Sequence, residues 1–135
     1  MAQKKRNTKL ALATESALKV RGWEKLNLPI EQSALALDLF LVIAYNTLLG
    51  KPLTLKLLFY SLSFSEGGIR KHLRRLLSEG WCSLEGAERD KRLRHVVAQP
   101  KMLEALEKYV LVLQDAFGQN MTRDRGHSKS AAISQ

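Results

Sequence analysis

Arg70, Lys71, Arg74 and Arg75 stand close together in one short stretch of the sequence. At about 100° per residue they fall on one side of a helix, with Gly67 and Ser78 among them. Ile69, Leu73, Leu76 and Leu77 fall on the other side. Arginine can bond guanine O6 and N7 together, and the major groove of B-DNA admits one α-helix. The bland alternative is a solvated basic face. A second basic set, Arg89, Lys91, Arg92 and Arg94, follows Gly86 in a charged run. On a hairpin these side chains can reach the sugar-phosphate backbone or a narrow A·T-rich minor groove, or simply face water. Other chemistry is poorly served. Cys82, between Trp81 and Leu84, reads as a small buried hydrophobe. His72, His95 and His127 lack metal-site spacing. No Ser/His/Asp cluster, carboxylate pair or phosphate-binding glycine loop stands in a matching context. The expectation is a non-enzyme with no metal and no cofactor.

The elements that would carry these residues lie in residues 53–80. Thr54 is a good N-cap before the apolar-periodic run 55–62, and Ser63 and Phe64 interrupt that run. Ser65 is a second N-cap, and Glu66 suits the positive end of a helix. The second helix, residues 65–79, ends at Gly80. Two short helices joined by a tight turn make a helix-turn-helix. Gly67 and Gly68 cost that helix up to about 1 kcal/mol each relative to alanine, and close approach to DNA is a functional reason to tolerate them. Beyond Gly80, residues 81–84 and 93–98 read as strands around a charged loop, which is the order of a winged helix.

Residues 53–101 resemble the DNA-binding core of the MarR-type winged-helix transcriptional regulators. The matching residues are Leu53, Thr54, Leu58, Leu62, Phe64, Ser65, Ile69, Leu73, Leu76, Gly80 and the wing run Asp90-Lys91-Arg92. The resemblance implies a mainly α fold, a winged helix-turn-helix with a two-stranded β wing, flanked by N- and C-terminal helices. It implies double-stranded DNA as partner. It offers Ser65, Gly67, Arg70, Lys71, Arg74 and Arg75, with the wing residues Arg89, Lys91, Arg92 and Arg94, as the contacts. Arg92 matches the family's wing arginine, and Asp90 would position the wing through basic partners. In that family the terminal helices of two subunits pack together, which implies a homodimer. The chain departs from the pattern at Ser63, where the family often has glycine, and at Phe59, where it usually has a small residue.

Composition and charge set the remaining bounds. At 135 residues with 45% hydrophobic content, the chain is expected to hold one globular domain. Its net charge of +9 fits a nucleic-acid partner or an acidic surface. Residues 1–30 hold seven Lys/Arg against two acids and residues 65–98 eight against five, while residues 31–64 balance. Residues 1–7 read as a basic arm, 8–117 as the winged-helix domain with its flanking helices, and 118–135 as a disordered tail. Thr8 is the expected cap of the first helix and Gly22 its stop; Pro29 opens an apolar helix buried on most sides, stopped by Gly50; Pro100 opens the last helix and Gly118 closes it. The last helix carries an apolar stripe of Met102, Leu103, Leu106, Val110, Leu113 and Phe117. With Leu10, Ala13, Ala17 and Val20 of the first helix it would supply the dimer interface. No apolar run suits a membrane span, and one cysteine makes a reducing cytoplasm the default.

Three functional readings stand at this level. The first is a sequence-specific DNA-binding regulator. The second is a winged-helix architectural or protein-protein module with non-specific DNA affinity. The third is a repressor answering a small-molecule effector held in apolar space between the flanking helices.

Overall fold

The structure, a computed structural model, describes residues 2–87 and 89–124. Five α-helices are found among them: α1 (Ala2–Asn27), α2 (Ala34–Leu48), α3 (Leu55–Ser61), α4 (Glu66–Ser78) and α5 (Pro100–Asp124). Strands β1 (Cys82–Glu85) and β2 (His95–Ala98) pair antiparallel, with Cys82 opposite Ala98 and Glu85 opposite His95. A 3-10 turn (Lys91–Leu93) lies in the loop between them. The order α3, turn, α4, hairpin is the winged helix-turn-helix expected from the sequence.

The chain divides into two compact units. Residues 27–107 form the first, which holds α2, α3, α4, the hairpin and the opening of α5. Its interior is built on Leu39, Phe40, Leu58, Ile69, Val96 and Met102, all fully buried. Burying one such side chain contributes roughly 1.5–3 kcal/mol. The second unit comprises, among the described residues, 2–26 and 108–124. There Trp23 stacks on Tyr109 at 5.8 Å, and the Ser16 hydroxyl donates to the Ala116 carbonyl at 2.8 Å. Glu24 is 3% exposed. It accepts from Tyr109 Oη and pairs with Arg21 at 3.4 Å. Burial, and then the Glu24 carboxylate, pushes the Tyr109 hydroxyl above its usual range.

Several boundaries differ from expectation, each for a local reason. Residues 2–7, expected as an arm, are the first turns of α1. Lysine and arginine are good helix formers, and Thr8 does not cap; its hydroxyl donates to the Lys4 carbonyl at 3.0 Å from within the helix. The same helix passes Gly22, whose cost of about 1 kcal/mol is offset by Trp23 and Glu24 just beyond it, both engaged by Tyr109. Pro29 opens no helix. Leu28, Pro29 and Ile30 are buried in a connection, and Ser33 caps α2 by accepting from the Ala36 N–H at 3.2 Å. Glu31 and Gln32 before that cap have φ of 44° and 59°, a left-handed pair that costs roughly 1–2 kcal/mol per residue. Gly118 does not end α5, which continues to Asp124; the remainder of the expected tail lies outside the described residues. The stops at Gly50 (φ 74°) and Gly80 (φ 80°) are where the sequence puts them. Helix α2 is less buried than expected: Tyr45, Leu48 and Leu49 are exposed, because its apolar arc is wider than the core it packs on.

Candidate nucleic-acid interface

The two caps that frame the helix-turn-helix form as their sequence suggests. Thr54 Oγ1 accepts from the Leu57 N–H at 3.2 Å, and Ser65 Oγ accepts from the Gly68 N–H at 3.1 Å. Each such cap contributes about 1 kcal/mol. Between them the chain turns without a left-handed residue at Ser63, which explains how serine can stand there. Helix α4 buries Ile69, Leu73 and Leu76 and exposes Gly67, Arg70, Lys71 and Arg74.

The two glycines of α4 separate into different roles. A Cβ on Gly67 would meet nothing within 4 Å, so its bare backbone faces open space. A Cβ on Gly68 would sit 3.1 Å from Leu35 Cδ2 and 3.2 Å from Ser65 Oγ. Gly68 therefore lets α4 approach α2; it is Gly67 alone that offers a close approach to an outside surface.

The basic residues of α4 are not equivalent. Lys71 and Arg74 are exposed, and no ion pair engages them among the described residues. Arg75 lies at the edge of the face and is held by two carboxylates, Glu31 from the left-handed turn and Glu79 at 3.0 Å. The Arg75 hydrogen bond, followed by one from Trp81 Nε1, lowers the Glu79 carboxyl below its usual range. Arg70 donates from Nε and Nη2 to Glu66 Oε2 at 3.0 and 2.9 Å, and its Cζ lies 4.9 Å from the centre of the Phe59 ring.

The wing is tied to the helix-turn-helix through the backbone. The Val96 N–H donates to the Leu53 carbonyl at 2.8 Å, and the Leu55 N–H donates to the Arg94 carbonyl at 3.1 Å. Asp90 caps the 3-10 turn by accepting from the Arg92 N–H at 3.0 Å, which fixes the wing through a main-chain bond. Arg89, Lys91 and Arg92 are exposed, and Arg94 is half-buried. At the base of the hairpin Trp81 packs edge-on to Phe40, and Lys101 Nζ lies 4.3 Å above the Trp81 ring. Cys82 is buried, and burial pushes its thiol up to about 12.

The structure thus brings Gly67, Arg70, Lys71 and Arg74 onto one surface of α4. It sets Ser65 into a cap and turns Arg75 toward Glu31 and Glu79. Four participants escaped the sequence reading. The Glu66–Arg70 and Arg75–Glu79 spacings of four residues were legible signals, since such pairs meet on a helix. Phe59 stood out only as an unusual residue. Glu31 had no local signal, being distant in sequence from Arg75.

Comparison with known proteins places the fold. No protein-family model matches the chain, and no curated protein matches it. Solved structures do. The chain is similar to the transcriptional regulator Tm0710 from Thermotoga maritima, at a TM-score of 0.65 and 18% identity, covering 97% of this chain and 87% of that one. It is similar to wild-type MarR from E. coli, at a TM-score of 0.56 and 18% identity, covering 91% and 86%. A mutant MarR complexed with operator DNA matches at a TM-score of 0.54 and 19% identity, covering 91% and 83%. The fold is the winged helix of these MarR-type regulators. Among the described residues no helix is long and apolar enough to cross a membrane.

Proposed function

We propose that this protein is a sequence-specific regulator of transcription that binds double-stranded DNA. The observation that carries the proposal is the division of α4: one face is locked into the core by Ile69, Leu73 and Leu76, and the opposite face presents Gly67, Arg70, Lys71 and Arg74 to solvent. In this reading α4 enters the major groove, with the bare backbone at Gly67 allowing close approach. Lys71 and Arg74 supply the unengaged charges. Arg89, Lys91 and Arg92 of the wing bind the flanking backbone or minor groove, chiefly by displacing counterions. Ser65 and Arg75 serve indirectly, one by capping α4 and the other by joining its C-terminal turn to the α2 cap region.

The MarR complexed with operator DNA supports this reading by fold alone. Homodimerisation belongs to the same proposal. Leu10, Leu18 and Leu26 of α1 and Val110, Leu111 and Phe117 of α5 are exposed, a large apolar area for one chain. Met102 and Val20, expected in that interface, are instead buried within their own units. An effector is favoured by one feature, an open apolar groove of about 410 Å³ lined by Leu41, Val42, Tyr45 and Leu48 of α2 and Leu106 of α5, which is not the space between the two flanking helices where the sequence placed it. A cytoplasmic location fits a DNA-binding role.

The test is selection from a randomised duplex library followed by competition against unselected duplex. A regulator enriches a defined site. A module with only non-specific affinity enriches none, and that result would favour the architectural reading.

A further inference from the structure

Arg70 differs from the other basic residues of α4 in being held from two sides. Glu66 takes two of its hydrogen bonds on a single oxygen, and the Arg70 Cζ lies over the Phe59 ring of α3 at 4.9 Å from the ring centre. A guanidinium has five N–H donors. The Glu66 carboxylate occupies the Nε–H and one Nη2–H. Both Nη1 donors and the second on Nη2 stay outside that pair. Those donors form the end-on fork that matches guanine O6 and N7. The edge that Glu66 uses is the other one.

We propose that Glu66 and Phe59 are positioning residues that aim the Nη1–Nη2 fork of Arg70 at one guanine in the major groove. This rests on the reading of α4 as the groove-entering helix. The physical reason is preorganisation. An exposed arginine loses rotamer entropy when it binds, and one fixed beforehand loses less. The carboxylate also offsets the positive charge of Arg70, so this side chain adds little to attraction for arbitrary DNA. Its contribution is concentrated on the base it meets. Lys71 and Arg74 carry the opposite division, with full charge and no such restraint.

The experiment uses the full chain and a duplex recovered from a randomised library, compared with duplexes in which each guanine is replaced in turn. Arg70→Ala is expected to reduce preference at one G·C pair by roughly 5- to 150-fold, which is 1–3 kcal/mol of base discrimination converted at 1.4 kcal/mol per decade. Glu66→Ala and Phe59→Leu should each lose part of the preference at that same pair, severalfold. In Glu66→Ala the affinity for random duplex should rise, since a negative charge has left the binding face. Glu66→Gln keeps an acceptor oxygen and Phe59→Tyr keeps the ring, so both should retain most of the preference. A merely structural role would lower the melting temperature without selecting one base pair. Glu66 is exposed, so its variants stay folded and decide the matter even where Phe59→Leu does not fold. If Glu66→Ala raised affinity for all duplexes equally and left base preference intact, the pair would only neutralise charge and the proposal would be overturned. If Arg70→Ala lost no preference, the clamp would have nothing to aim and would fall while Lys71 and Arg74 kept their roles. If the parent enriched no site, the functional reading would fall with it.

Discussion

Adding one methyl group to either of two adjacent glycines in α4 should move stability in opposite directions. At Gly68 the new Cβ would stand 3.1 Å from Leu35 Cδ2 and 3.2 Å from Ser65 Oγ. Leu35 is buried, and Ser65 Oγ is fixed by its bond to the Gly68 N–H, so neither can retreat freely. Overpacking costs about 1–3 kcal/mol, and disturbing the cap risks about 1 kcal/mol more. The gain in helix propensity returns at most about 1 kcal/mol. Gly68→Ala should therefore destabilise the protein by about 1–2 kcal/mol, a fall in Tm on the order of 4–8 °C. Gly67→Ala meets open space and should stabilise by up to about 1 kcal/mol, yet weaken duplex binding by holding the backbone away from DNA. Thermal unfolding of both variants, paired with duplex affinity, checks the two statements. A Gly68→Ala protein at least as stable as the parent would refute the close packing of α4 against Leu35. A Gly67→Ala protein that bound DNA unchanged would refute the close approach.

Three further outcomes are expected. Cys82, its thiol pushed up to about 12 by burial, should resist a thiol reagent at pH 8 in the folded protein and react when unfolded in guanidinium; the same shift means that its contribution to stability is intact below the ordinary value of 9.0 and falls as pH rises from there toward 12. Arg75→Ala should weaken duplex binding less than Lys71→Ala, because Arg75 is already held by Glu31 and Glu79. By NMR titration it should also bring the Glu79 carboxyl back up, removing stability that is present above the ordinary carboxylate range and lost as pH falls through the depressed value. Light scattering at micromolar concentration should give a dimer mass, and Leu18→Glu with Leu111→Glu should give a monomer; a monomeric parent would remove the dimer.

The helix-turn-helix was legible in the sequence because its signals are local. Thr54 and Ser65 are caps whose side chains bond the backbone three residues on, and Gly80 supplies the left-handed stop that other residues avoid. The face of α4 followed from periodicity, since a buried stripe of Ile69, Leu73 and Leu76 puts the arginines outside. Misplaced boundaries arose where tertiary partners override local preference. Gly22 and Gly118 look like stops, yet α1 and α5 run through them. Pro29 is suited to a first helical turn, but Leu28, Pro29 and Ile30 are buried in a connection and the helix waits for Ser33. The separate tasks of Gly67 and Gly68 could not be read in advance, because only the approach of Leu35 distinguishes them. Nor could the contacts that Phe59 and Glu31 bring to Arg70 and Arg75 from other elements, although the pairs with Glu66 and Glu79 on the same helix were open to reading.

Whether the exposed side of α4 reads DNA sequence is decided by the affinity of the parent and of Lys71→Ala and Arg74→Ala for a selected and a random duplex across a salt series. The parent should prefer the selected duplex. Each variant should stay folded and lose affinity, by about 1–3 kcal/mol with relaxed preference at one position where the side chain meets a base. Where it meets a phosphate, the loss should be uniform and the salt slope shallower by about one unit. Both variants binding like the parent, on selected and random duplex alike, would show that this side of α4 does not read DNA.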